Sequence, residues 1–135
     1  MRGNMRTAKV AEDRPENHGI LRYLEDSDGT GLHPDVLDRL IELAAVSGCD
    51  RVSVRGTRLL VHRATGVIVG CGLGTDYCLR VAGVPKGAGG RSIRWTDGER
   101  LNVRNAFGSG WIVGGYHDGE AEWLRTAVAA LEASA

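Results

Sequence analysis

Residues 51–81 read RVSVRGTRLLVHRATGVIVGCGLGTDYCLRV, and the spacing of their apolar side chains decides the fold. RVSVR alternates with a period of two, so Val52 and Val54 share one face while Arg51, Ser53 and Arg55 share the other. RLLVHR and VIVGC are joined through Ala64, Thr65 and Gly66, a connection that suits a hairpin. Gly74 and Thr75 turn the chain into YCLRVAG, where Tyr77, Leu79 and Val81 lie opposite Cys78 and Arg80. Successive strands with short turns predict an antiparallel meander. SIRW, a TDGE turn, RLNVR and finally GWIVGGY extend it to about six or seven strands.

Helices are expected on either side of the meander. Pro34 and Asp35 suit a first turn, and Val36, Leu37, Leu40, Ile41, Leu43 and Ala44 form one apolar stripe that Gly48 ends. Asp118 is expected to cap a closing helix, with Glu120 and Glu122 at its positive end and Ala121, Leu124, Val128 and Leu131 buried. With both helices on one face, the prediction is a two-layer α+β domain over residues 20–135. Residues 1–19 read as a mobile arm, and residues 20–24 as one or two turns of helix.

A chain of 135 residues suits one domain, and its 42% hydrophobic and 25% charged content are those of an ordinary globular protein. No apolar run approaches the roughly 18 residues of a membrane span. The polar opening MRGNMRTAKVAEDRPENHG is not a secretory leader, and three cysteines suit a reducing compartment, so a cytoplasmic location is expected. Net charge is zero, but residues 1–50 hold six bases and ten acids, residues 51–104 ten and three, and residues 105–135 one and four. Fifteen of the seventeen bases are arginine, which suits bidentate contact with carboxylate or phosphate.

Several constellations test for chemistry. Residues 84–92, VPKGAGGRS, approach a phosphate-binding loop, but Pro85 replaces the first glycine and Arg91 the lysine. No helix is expected after it, so nucleotide hydrolysis is not indicated; Lys86 and Arg91 remain candidates to touch an anion. Cys71 and Cys78 face each other across the predicted hairpin, and His62 and His117 complete a conceivable metal set, although none has the short spacing of structural zinc sites. FGSG at 107–110 lacks the glycines of a nucleophile elbow, and DSDGTG lacks the distal glutamate of a calcium loop. No cofactor is expected.

The predicted sheet carries the remaining signal. Arg55, Arg80, Arg94 and Arg104 are expected on the face away from the helices, where Trp95 or Trp111 would add a stacking ring for nucleic acid. Trp95 and Trp111 are equally candidate anchors for a protein partner, and an open sheet edge would permit self-association. The stretches GTRLLVHRATGVIVGCGLGTDYCLRV and GWIVGGYHDGEAEWLRTAVAALEA, in that order, resemble the small domains of the YjbR and TfoX N-terminal type. The resemblance spans about residues 33–133 and implies a compact α+β fold that binds DNA or protein without catalysis. The expected function is therefore a non-catalytic interaction module for a protein partner or for itself. Nucleic-acid or other polyanion binding is the alternative, and an enzyme comes third.

Overall fold

A computed structural model describes residues 9–25, 31–54, 56–85, 92–94 and 100–134, the side chains of Arg94 and Ser134 excepted. The order is α1 (Pro15–Glu25), α2 (Pro34–Ser47), β1 (Asp50–Val54), β2 (Thr57–Val61), β3 (Ile68–Leu73), β4 (Asp76–Arg80), β5 (Ile93–Arg94), β6 (Arg100–Leu101), α3 (Val103–Ala106), β7 (Trp111–Val113) and α4 (Glu120–Ser134). The architecture is α+β, and the main sheet is antiparallel with five strands in the order β1-β2-β3-β4-β7. The predicted count of six or seven is met only by adding a separate ribbon of β5 and β6. RLNVR does not continue as strand, because Asn102 accepts a hydrogen bond from the Asn105 N–H at 3.1 Å and caps α3. No helix among the described residues is long and apolar enough to cross a membrane.

α2 begins as its sequence dictates: Pro34 takes the first turn, and His33 Nδ1 accepts from the Asp35 N–H at 3.1 Å. Gly48 ends it in the left-handed conformation at φ 69°. Val36, Leu40, Leu43 and Ala44 join Leu124, Val128 and Leu131 of α4 over Leu60, Val69, Tyr77, Leu79 and Ile112 of the sheet. α2 lies close to the sheet because β3 offers it glycine. A Cβ at Gly72 would stand 2.7 Å from Leu32 Cδ1 and 2.9 Å from Leu40 Cδ1.

The opposite face, expected to be open, is also covered. Ile20 and Leu24 of α1, Val103 and Phe107 at α3, and Ile93 and Leu101 of the ribbon pack on Leu59, Val61, Ile68, Cys71, Cys78, Trp111 and Val113. Here the prediction of helices on one face alone is corrected. Residues 9–19, read as part of an arm, are also part of the fold; residues 1–8 lie outside the described residues. Asn17 is fully buried, donates Nδ2–H to the carbonyls of Ala11 (2.8 Å) and Gly66 (2.9 Å), and accepts from the Ile68 N–H at 2.8 Å. The reason is a local irregularity: the β2–β3 register shifts between Leu60 and Val61. Side chains then supply the partners that a regular ladder would have given Ile68.

Candidate functional site

Arg80 supplies the other of those partners. Its Nε donates to the Ile68 carbonyl at 3.1 Å and its Nη2 to the Glu16 carbonyl at 3.0 Å. The guanidinium lies 5.3 Å from the centre of the Trp111 ring. Burial depresses its pKa, and Glu16 offsets part of that. Trp111 itself is fully buried against Phe107 at 5.3 Å, edge to face. The predicted open arginine–tryptophan face therefore has Arg80 half-buried and Trp111 fully buried, beneath α1. Arg104 is exposed on α3. Arg55, Lys86, Arg91 and Trp95, and the side chain of Arg94, lie outside what is described.

The four candidate metal ligands do not converge. Cys71 and Cys78 are directly paired across β3 and β4 and buried on the α1 side. His62 is buried near the other end of the sheet, its Nδ1 2.7 Å from Thr65 Oγ1 and its Nε2 3.8 Å from Glu132. His117 stands 5.9 Å from the Trp123 ring. Among the described residues no three His, Cys, Asp or Glu side chains are placed to hold a metal ion.

A different set of residues does converge, where the N-termini of α2 and α4 meet β4 and the end of β7. Glu120, expected as a helix-dipole partner, is fully buried. Its Oε1 accepts from Arg39 Nη2 at 2.8 Å and from the Tyr77 hydroxyl, and its Oε2 accepts from the Gly115 N–H at 2.8 Å. Burial opposes ionisation of this carboxyl, but the donors (Tyr77, Gly115, Arg39 and the His117 backbone) outweigh it and hold its pKa below the usual carboxylate range. Arg39 also donates to the His117 carbonyl at 3.1 Å and pairs with Glu42. Desolvation opposes its charge, yet its bonds to Glu120, Tyr77 and Glu42 raise its pKa above the ordinary arginine value. The Tyr77 phenol is raised by burial first and by the Glu120 carboxylate second, so it stays protonated.

This buried network fixes one exposed side chain. The Tyr77 hydroxyl accepts from the Tyr116 N–H at 2.7 Å. Tyr116 has φ 59°, the only left-handed non-glycine residue among the described residues. That backbone costs a bulky residue about 1–3 kcal/mol, and the hydrogen bonds on either side hold it in place. Gly114 is needed next to it, because a Cβ there would run into the Tyr77 ring. Tyr116 stacks edge to face on Tyr77 at 5.2 Å, has the Arg39 guanidinium 5.9 Å from its ring centre, and remains 53% exposed. It stands over an open concavity lined by Asp35, Asp38, Arg39 and Glu42. Three carboxylates thus rim an aromatic ring, and the one base in this lining, Arg39, is shared between buried Glu120 and Glu42.

The sequence carried two signals of this site. A Gly-Gly pair precedes an aromatic at 114–116, and Arg39 sits beside the apolar stripe of α2. Neither shows that Glu120 lies between them. Comparison of the chain with protein-family models, curated proteins and solved structures finds no match.

Proposed function

We propose that the protein is a non-catalytic interaction module whose Tyr116 platform binds a basic side chain of a protein partner. The observation that carries this reading is the exposed Tyr116 ring, held in a strained backbone conformation by buried Glu120 and Tyr77 and rimmed by Asp35, Asp38 and Glu42. Strain maintained by a buried charge network marks a position kept for its geometry rather than for stability. A tyrosine face attracts a guanidinium or ammonium group, and the surrounding carboxylates add Coulomb attraction and steer a cationic segment in. The same rim repels phosphate, which disfavours a polyanion at this place. Tyrosine is also among the side chains that most often dominate binding energy at interfaces.

The test titrates a short arginine-containing peptide into labelled protein and follows backbone NMR shifts. Saturable shifts at Tyr116, Asp38 and Glu42, weakened by salt, are expected. Tyr116→Asn should abolish them while leaving the fold intact, since asparagine tolerates the left-handed region. Shifts spread over the whole surface, or unchanged in Tyr116→Asn, would rule the platform out.

A further inference from the structure

β1 forms one edge of the five-stranded sheet, and among the described residues no strand lies on its outer side. It contains no proline, no glycine and no register irregularity, three devices that blunt an edge, and its one exposed charge is Arg51. Its turn into β2 has two residues, with Val54 opposite Thr57 as the closing pair. Hydrogen-bonded and non-hydrogen-bonded pairs then alternate, so Val52 and Val54 spend their backbone groups on β2. Arg51 and Ser53 turn their N–H and C=O groups outward.

We propose that β1 pairs antiparallel with β1 of a second copy, about a two-fold axis through Val52, making one ten-stranded sheet across a homodimer. The outward groups of Arg51 and Ser53 restrict the two-fold registers to those centred on Arg51, Val52 or Ser53. Centring on Arg51 sets it opposite itself, like charge against like charge. Centring on Ser53 pairs, of these two, only Ser53 with itself within Asp50–Val54, leaving the outward groups of Arg51 unmatched there. Centring on Val52 sets Arg51 opposite Ser53 and leaves no like-charge pair.

The side chains agree with that register. Val52 and Val54 are only half-buried at the rim of the core beneath α1. The two-fold sets Val52 opposite Val52 of the second copy, with Val54 of each chain diagonal to that pair, and extends that core. It also brings the partner copy's end of β1, with the exposed Arg63 held by the mostly buried Asp50, towards Val54. Beside Val54 lies a concavity lined by Glu12, His18, Arg22 and Glu25, with Leu21 and Leu24 at its base. Its two glutamates place negative charge where the exposed Arg63 arrives. This surface is separate from the Tyr116 platform and does not depend on it.

Light scattering on the full chain over rising concentration should show a shift from one chain mass to two. Ser53→Pro removes an outward N–H that β2 does not use, so it should return the monomer while the circular dichroism spectrum is retained. Ser53→Glu, opposite Arg51, should tighten the dimer several-fold, and Ser53→Arg should weaken it by a similar factor. In a non-hydrogen-bonded pair the Cα atoms are about 4.5 Å apart, within disulfide range. Val52→Cys should therefore cross-link under mild oxidation and Ser53→Cys should not, the native thiols being buried. A monomer at every concentration overturns the proposal. So does a dimer that Ser53→Pro leaves intact, or cross-linking through Ser53→Cys in place of Val52→Cys.

Discussion

Glu120 shows how one carboxylate can be both a stabilising and a titratable element. In the unfolded chain it titrates near the ordinary value of about 4.3, and in the folded chain below it. Between those two values the unfolded chain binds more protons. The stability that ionised Glu120 confers is therefore complete above about pH 4.3 and drains away as pH falls through the folded value. Tyr77 behaves in mirror image: its raised pKa confers stability that is complete below about pH 10 and lost above it. Glu120→Gln is expected to cost about 3–5 kcal/mol at neutral pH, because Arg39 loses its buried counter-charge. It should also flatten the acid limb of a urea-denaturation series run from about pH 6 to about pH 3. A mutant with the same acid sensitivity as the native chain would mean that other carboxylates dominate that limb.

At the scale of elements, Arg80 decides what α1 is. Two hydrogen bonds from a charged donor tie β4 to the irregular start of β3 and to the first turn of α1. At about 1.5–3 kcal/mol for each such bond, Arg80→Ala should lower stability by about 3 kcal/mol, read from the urea midpoint. On the open sheet face where the sequence placed Arg80, the same change would have spared the fold. Alternation placed β1 to β4 correctly, because a period of two is a local property of Val52, Val54, Tyr77 and Leu79. It also put Cys71 and Cys78 opposite each other. Nothing local says what covers the second face. Pro15, Glu16 and Asn17 are polar, and a buried Asn17 looks in sequence like any surface asparagine. Arg80 lies two residues from Cys78, on the same side of β4, and its burial follows only once a carbonyl left by the shifted β2–β3 register is in view. Glu120 was hidden for a related reason: an acid in a first helical turn is ordinarily a solvated dipole partner, and only the packing of α2 beside α4 buries it.

Across the whole molecule, the charge segregation along the chain is partly undone by folding. The acidic N-terminal part and the acidic C-terminal part close on the basic middle and on each other through Glu16 with Arg80, Asp50 with Arg63, and Glu120 with Arg39. Two separate cores result, one on each side of a single sheet, and the free cysteines are divided between them. Cys49 belongs to the side of α2 and α4, and Cys71 and Cys78 to the side of α1 and α3. The protein thus carries its own pair of stopwatches. An alkylating reagent can reach a thiol only when the layer above it lifts, so labelling times resolved by mass spectrometry time the two coverings independently. Asn17→Ala, which loosens α1 alone, should speed modification of Cys71 and Cys78 about tenfold or more and leave Cys49 at its native pace. If all three accelerate together, the two layers open as one, and the sheet transmits the loss of either cover to the other.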